Sequence, residues 1–240
     1  MPDATERPWL ALAINDCGEP LAPLPEDLPR VMPHPYACLG APYPGDPWRL
    51  RLAVVVRLLR ARTTLQAAHP GWDLQIFDAW RPIAVQAFMV NHSLQAELAR
   101  GSPSQRADPA WRCQVEQQVR HLWAIPSRDP GTPPPHSTGA AVDLTLVDHD
   151  GEPVPMGSPI DALGPESYPD HFAGDPHGAT AHRNRLRLRQ AMLAAGFVMH
   201  PWEWWHFSFG DQLWAWRTGQ VAARYGAYGN VTGGQPVASR

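Results

Sequence analysis

The chain has 240 residues, 44% of them apolar and 18% charged, with a formal net charge of −3. This is a globular composition, long enough for a sizeable core, and it excludes an intrinsically disordered chain. A weakly acidic balance gives no electrostatic case for nucleic acid or an anionic membrane as partner. In chain order, residues 1–47 are rich in proline, as in PEDLPRVMPHPYACLGAPYPGDP, and are expected to be irregular and to wrap the domain. The stretch WRLRLAVVVRLLRARTTLQAA then spaces Leu52, Val55, Val56 and Leu59 at i, i+3, i+4, i+7, which predicts an amphipathic helix burying those four and turning Arg49, Arg57 and Arg60 outward. GWDLQIFDAW reads as a short strand, and Pro82 opens a helix through IAVQAFMVNHSLQAELA. A further helix is expected around PAWRCQVEQQVRHLWAI, then a stiff extended approach, PSRDPGTPPP, to His136. AAVDLTLVD reads as a core strand closed by the turn DHDGEP. Residues 156–183 form an unusually long polar loop, expected either to border an active site or to be poorly ordered. NRLRLRQAMLAAGF returns to helix with Leu188, Ala191, Met192 and Ala195 on one face. The tryptophan-rich PWEWWHFSFG is expected as a strand near the centre, and the Gly-rich residues 219–240 as a trailing tail.

Strands and helices that do not alternate regularly predict an α+β domain rather than a doubly wound parallel sheet. Neither a Walker-type phosphate loop nor a dinucleotide fingerprint occurs, so a nucleotide cofactor has no support. Cys17, Cys38 and Cys113 are odd in number and widely spaced, which fits neither a disulfide framework nor a cysteine-based zinc module and favours a reducing, cytoplasmic setting. The amino terminus lacks a basic region and its apolar run is too short for a signal peptide or a membrane span.

The chemistry concentrates in two segments. In HSTGAAVDLTL, His136 and Asp143 lie seven residues apart, so a turn at Gly139 leading into a strand puts one ligand at each end of a rigid corner. With His206 they make two imidazoles and a carboxylate, a three-ligand zinc set with a fourth position open. Zinc in such a set lowers the pKa of bound water to ~7 and polarises a carbonyl. Glu203, beside His206, can then take the water's proton during attack on a peptide carbonyl and pass it to the leaving amine. On an ideal strand, positions 203 and 206 face opposite sides, so a turn or bulge is expected between them. The surrounding tryptophans would exclude water and hold the ligands in place. Arg81, in DAWRP, lies at a strand end, where it could stabilise the oxyanion or simply pair with Asp78.

Taken together these motifs resemble the D-alanyl-D-alanine dipeptidases, relatives of the zinc D,D-carboxypeptidases. HSTGAAVDL is similar to that family's first zinc signature and EWWH to its second, FDAWRP resembles its strand-end arginine motif, and PMGSPID and NRLRLRQAMLAAGF lie in the expected order between the zinc signatures. The resemblance covers residues 36–209 and implies a single α+β domain with a central, mainly antiparallel sheet flanked by helices. It divides the chain into an irregular segment 1–35, a peptidase domain 36–218 and a tail 219–240. It also implies one zinc ion per chain on His136, Asp143 and His206, with Glu203 as base and Arg81 at the tetrahedral intermediate. Asp161, closing MGSPID, would bind the substrate's ammonium, and Tyr36 would stand at the same pocket. Where the family often carries a serine that contacts the substrate carboxylate, this chain has Pro134, which offers neither hydroxyl nor N–H. Ser137 or Thr138 is the expected substitute.

The expected activity is therefore zinc-dependent hydrolysis of D-alanyl-D-alanine or a similar short D-amino-acid dipeptide, a small-molecule substrate of peptidoglycan metabolism. The alternatives are a D,D-carboxypeptidase or L,D-endopeptidase acting on peptidoglycan peptides, and a non-catalytic zinc-binding module. The sequence leaves the oligomeric state open.

Overall fold

The proline-rich amino-terminal segment is anchored at several points in the computed structural model, which describes residues 7–229. It carries strand β1 (Ala13–Ile14), strand β2 (Leu21–Pro23) and one turn of helix, α1 (Pro35–Cys38). Strand β3 (Arg49–Arg51) pairs antiparallel with β2, so the segment is tied to the domain by backbone hydrogen bonds at the point where the first long helix begins.

That helix, α2 (Leu52–Ala68), buries Val54, Val55, Leu58, Ala61 and Leu65. Only Val55 belongs to the expected face: Leu52 is 49% and Val56 44% exposed. The stretch LAVVVRLL is apolar nearly all round, so its periodicity cannot set the helix phase; Ala61 and Leu65, a turn or more further on, fix it. Arg57, expected outward, lies over the ring of Phe209 with 3.8 Å from Cζ to the centroid.

Strand β4 (Asp73–Asp78) alternates half-buried and buried residues, then Pro82 caps α3 (Ile83–Arg100). Two helices follow, α4 (Pro103–Ala107) and α5 (Pro109–Leu122), each with proline at its first turn, where the missing N–H costs nothing. Strand β5 (Ala141–Val147) is buried on both faces apart from Thr145, as a central strand requires. Helix α6 (Ala179–Ala194) buries Leu188, Ala191 and Met192 on the expected face. Strands β6 (Val198–Met199) and β7 (His206–Ser208), helix α7 (Gln212–Arg217) and strand β8 (Ala222–Ala223) complete the described chain.

The main sheet has the order β4-β5-β7-β6 and every pairing in it is antiparallel. Helices α2 and α6 pack together against it, and α3 packs on α5. This is the expected α+β architecture. The tryptophan-rich stretch is strand only from His206 onward, and residues 201–205 form turns.

Residues 219–229, expected as part of a trailing tail, are built into the fold. Strand β8 pairs in parallel with β1, Tyr225 is fully buried, and the Tyr228 amide donates to the Ser137 carbonyl at 2.8 Å. The physical reason is Arg51, itself 2% exposed. Its guanidinium donates to the Thr138 carbonyl at 2.8 Å, the Gly226 carbonyl at 2.9 Å, the Asp16 carboxylate at 3.0 Å and the Glu19 carbonyl, and lies 5.1 Å from the ring centroids of Tyr225 and Tyr228. One side chain thus ties both ends of the described chain to the turn before β5. Arg51→Met is expected to destabilise the protein by about 3 kcal/mol in denaturant titration, the lower end for truncating a buried ion pair, because Asp16 keeps partial access to solvent.

Candidate metal centre and active site

Three strands supply the floor of the site. Asp143 of β5 stands opposite Asp78 of β4 on one side and opposite His206 of β7 on the other. Directly opposed residues of a sheet present their side chains on the same face, so register alone builds the row Asp78, Asp143, His206. His136 comes from the 3-10 turn Pro135–Thr138 that leads into β5. That turn ends on Gly139 at φ 72°, where a Cβ would stand 2.3 Å from Leu21 Cδ2, so only glycine closes it.

The three side chains converge. His136 Nε2 lies 3.1 Å from His206 Nδ1 and 3.1 Å from Asp143 Oδ2, and His206 Nδ1 lies 3.0 Å from Asp143 Oδ1. All three are buried. The far nitrogens are held as well: His136 Nδ1 is 2.8 Å from the Ala79 carbonyl, which can only accept, and His206 Nε2 is 3.3 Å from Ser208 Oγ. His136 Nδ1 therefore donates to the Ala79 carbonyl, and Nε2 is the nitrogen turned toward the cluster. Two imidazole nitrogens facing each other across a carboxylate are a donor set that fits zinc, with backbone and side-chain partners fixing the ring orientations. Burial alone would raise the Asp143 carboxyl, but the adjoining imidazoles outweigh it and hold it well below the usual range. A second group, Asp148, His149 and Asp150, sits on a turn that is largely exposed.

Glu203 occupies the turn before β7, so the expected break between positions 203 and 206 is present. One carboxylate oxygen is 3.6 Å from His206 Nδ1 and the other 3.3 Å from His200 Nδ1. Burial pushes Glu203 up to about 7, with His206 pulling the other way. The site thus contains one carboxyl held ionised among the imidazoles and one poised to exchange a proton near neutrality, the division that acid–base work requires.

Arg81 makes the expected pair with Asp78 and also faces the cleft. Its Nε donates to Asp78 Oδ2 at 2.9 Å, and Nη2 donates to Asp143 Oδ2 at 3.1 Å and to the Tyr36 hydroxyl at 3.3 Å. It neutralises two buried carboxylates that the sheet register forces together, and its guanidinium lines the same cleft as Glu203 and His206. Tyr36 in turn donates to Asp161 Oδ2 at 2.8 Å, and Asp161 adopts a left-handed backbone, φ 67°. Burial, then the charge of Asp143, pushes the Asp161 carboxyl up to about 7.

The loop carrying Asp161 is ordered by Arg185, which donates to the carbonyls of Met156, Tyr168 and Glu166 at 2.7–2.8 Å. Trp204 adds its indole N–H to Ser158 Oγ at 2.9 Å. The long loop is thus ordered and borders the cleft through Asp161, and one of the tryptophans pins it. Asp161 and Glu203 line one cleft together with Arg81, His136, Asp143 and His206.

Ser137 does not reach this cleft. It is 1% exposed and its hydroxyl donates to the Arg81 carbonyl at 2.8 Å, because the 3-10 turn that points His136 inward points its neighbour at the backbone of the preceding strand end. Thr138 likewise spends its hydroxyl on the Pro135 carbonyl. Sequence reasoning missed three polar residues lining the cleft: Gln86, which accepts from Arg81 at 2.9 Å, His200 and Arg7. His200 and Arg7 lie outside the quoted motifs, and no local pattern marks them.

A protein-family model described as D-ala-D-ala dipeptidase matches residues 36–228. A D-alanyl-D-alanine dipeptidase of Synechocystis sp. is 47% identical over 229 residues, covering 91% of this chain and 93% of that protein. One of Escherichia coli is 43% identical over 147 residues, 61% of this chain and 60% of that protein, and one of Enterococcus faecium 31% identical over 166 residues, 65% and 70%. Among solved structures, VanYB in complex with D-alanine-D-alanine aligns at a TM-score of 0.47 and 13% identity, covering 88% of this chain and 93% of that one. The match across residues 36–228, with 47% identity along nine-tenths of both chains, makes this chain a member of the D-alanyl-D-alanine dipeptidase family.

Proposed function

We propose that the chain is a zinc dipeptidase that hydrolyses D-alanyl-D-alanine, with one zinc ion held by His136, Asp143 and His206. The observation that carries this reading is the buried convergence of two imidazoles and a carboxylate, with Glu203 3.6 Å from one of the imidazoles. Zinc, when bound, supplies Lewis acidity toward a carbonyl and lowers the pKa of water. Glu203 accepts the proton of the attacking water and returns it to the leaving amine, a task matched to a carboxyl raised toward neutrality. Arg81, fixed by Asp78 and Gln86, holds a positive charge at the cleft where the carbonyl oxygen becomes anionic. Asp161, oriented by Tyr36, receives the substrate's free ammonium. An internal residue of a longer peptide has no ammonium to pair there, which favours free dipeptides. Three free, exposed cysteines support a reducing cytoplasm as the place of action, on soluble precursors or fragments of the cell wall.

The test is a panel of free dipeptides of both stereochemistries, an N-acylated D,D-tripeptide, and each with and without chelator, alongside zinc analysis of the purified protein. Cleavage of D-alanyl-D-alanine, abolished by chelator and restored by one equivalent of zinc, is the expected result. Cleavage of none of the free dipeptides, or preference for the acylated tripeptide, would overturn the reading. Within the same panel Asp161→Asn is expected to raise KM for the free dipeptide by about 10–100-fold, the loss of one charge-assisted contact, with a smaller change in kcat. An unchanged KM would remove Asp161 from ammonium recognition.

A further inference from the structure

A free dipeptide carries a charge at each end, and the residues discussed so far answer only one of them. Pro134, before the 3-10 turn, offers neither a hydroxyl nor an N–H, and the hydroxyls of Ser137 and Thr138 are both committed to backbone carbonyls. Of the two arginines that line the cleft, Arg81 is already paired with Asp78 and Asp143.

Arg7 is differently placed. Its Nη2 donates to the carbonyls of Arg120 and His121 at 3.2 and 3.1 Å and reaches those of Leu122 and Trp123 at 3.5 Å, at the carboxyl-terminal end of α5, where helix carbonyls run out of intrahelical donors. The guanidinium lies over Trp202, 5.8 Å from Cζ to the ring centroid. These contacts hold the side chain in one place against the cleft, beside Pro135, His200 and Glu203. Carbonyl dipoles and an aromatic face orient a cation without neutralising it. Among the described residues no carboxylate forms an ion pair with Arg7 within 4.0 Å. A half-buried guanidinium that faces Glu203 across the cleft but, among the described residues, has no carboxylate within ion-pair distance is free to receive a substrate carboxylate.

We propose that Arg7 binds the substrate's C-terminal carboxylate, so that the cleft reads a dipeptide by a charge at each end, Asp161 for the ammonium and Arg7 for the carboxylate. The proposal rests on the dipeptidase reading and adds the determinant that confines cleavage to a free carboxyl terminus. It also brings into the site a residue that precedes the matched family region, 36–228.

The experiment compares D-alanyl-D-alanine with its C-terminal amide on the zinc-loaded protein and on Arg7→Gln and Arg7→Lys. The wild type is expected to prefer the free acid by about 100-fold in kcat/KM, most of it in KM, and Arg7→Gln to bring that ratio to near one. Arg7→Lys, which keeps the charge but not the planar fork, should recover part of the preference. Two results would overturn the proposal: a wild type that cleaves acid and amide equally well, which requires no variant to fold, or an Arg7→Gln protein that keeps the wild-type ratio. If the wild type cleaves no dipeptide, the dipeptidase reading itself fails. Calorimetric binding of D-alanyl-D-alanine to wild type and Arg7→Gln then decides the role of Arg7 alone: at least tenfold weaker binding in the variant supports it, and equal binding refutes it.

Discussion

Glu203→Ala is expected to reduce kcat for D-alanyl-D-alanine by about 10³-fold while zinc content stays at one equivalent. Positioned general acid–base groups contribute roughly 10²–10⁴-fold, and Glu203 would act twice in each turnover, on the attacking water and on the leaving amine. It is not one of the three converging ligands, so the metal should remain. KM should move little, since the loss falls on the chemical step rather than on binding. Glu203→Gln separates charge from shape: it fits the same turn against His200 and His206 but cannot accept a proton, and should be as inactive as the alanine variant. Steady-state kinetics with parallel metal analysis decide the matter. Activity within tenfold of wild type in the metal-loaded glutamine variant would remove Glu203 from the mechanism.

The second large effect concerns the metal set. His206→Ala is expected to abolish hydrolysis and to weaken zinc binding beyond recovery at micromolar metal, because one of only three ligands is removed. Stability reports the same event without any turnover. A ligand that binds the folded state at 100 times its Kd stabilises it by ~2.7 kcal/mol, and for a chain of this size each kcal/mol shifts Tm by roughly 2–4 °C. Chelator should therefore lower the wild-type Tm by roughly 5–10 °C and leave that of His206→Ala where it was. An equal chelator shift in both proteins would show that the stabilising metal lies elsewhere, with the exposed Asp148–Asp150 turn as the first place to look.

The core of this site was legible in the sequence because it is local. His136 and Asp143 lie seven positions apart, and a turn running into a strand has few ways to arrange them; Glu203 and His206 lie three apart, and the turn they require is present. The order of helices and strands was legible for the same reason. What periodicity could not fix was phase and partnership. Leu52 and Val56 satisfy the helical spacing as well as Val54 and Leu58 do, and only packing on α6 and the sheet chooses between them. Arg51, Arg185 and Arg7 carry no mark of their roles in the sequence, since each is placed by backbone carbonyls distant in the chain, 87 residues away for Arg51 and Thr138. Serine at 137 is a reasonable candidate by type, and the 3-10 turn spends its hydroxyl on Arg81's carbonyl. Long-range acceptors of this kind leave no periodic trace.

The parallel pairing of β1 with β8 is only two residues long. So short a ladder, even with Arg51 behind it, parts at less free energy than the four-stranded sheet, which carries Asp143 and His206. Arg7 lies a few residues before β1 and is carried by the same segment. Fraying of this clasp would withdraw the carboxylate anchor while the chemistry below stayed assembled. Substrate range would then depend on temperature: on gentle warming the protein would become less selective before it became less active.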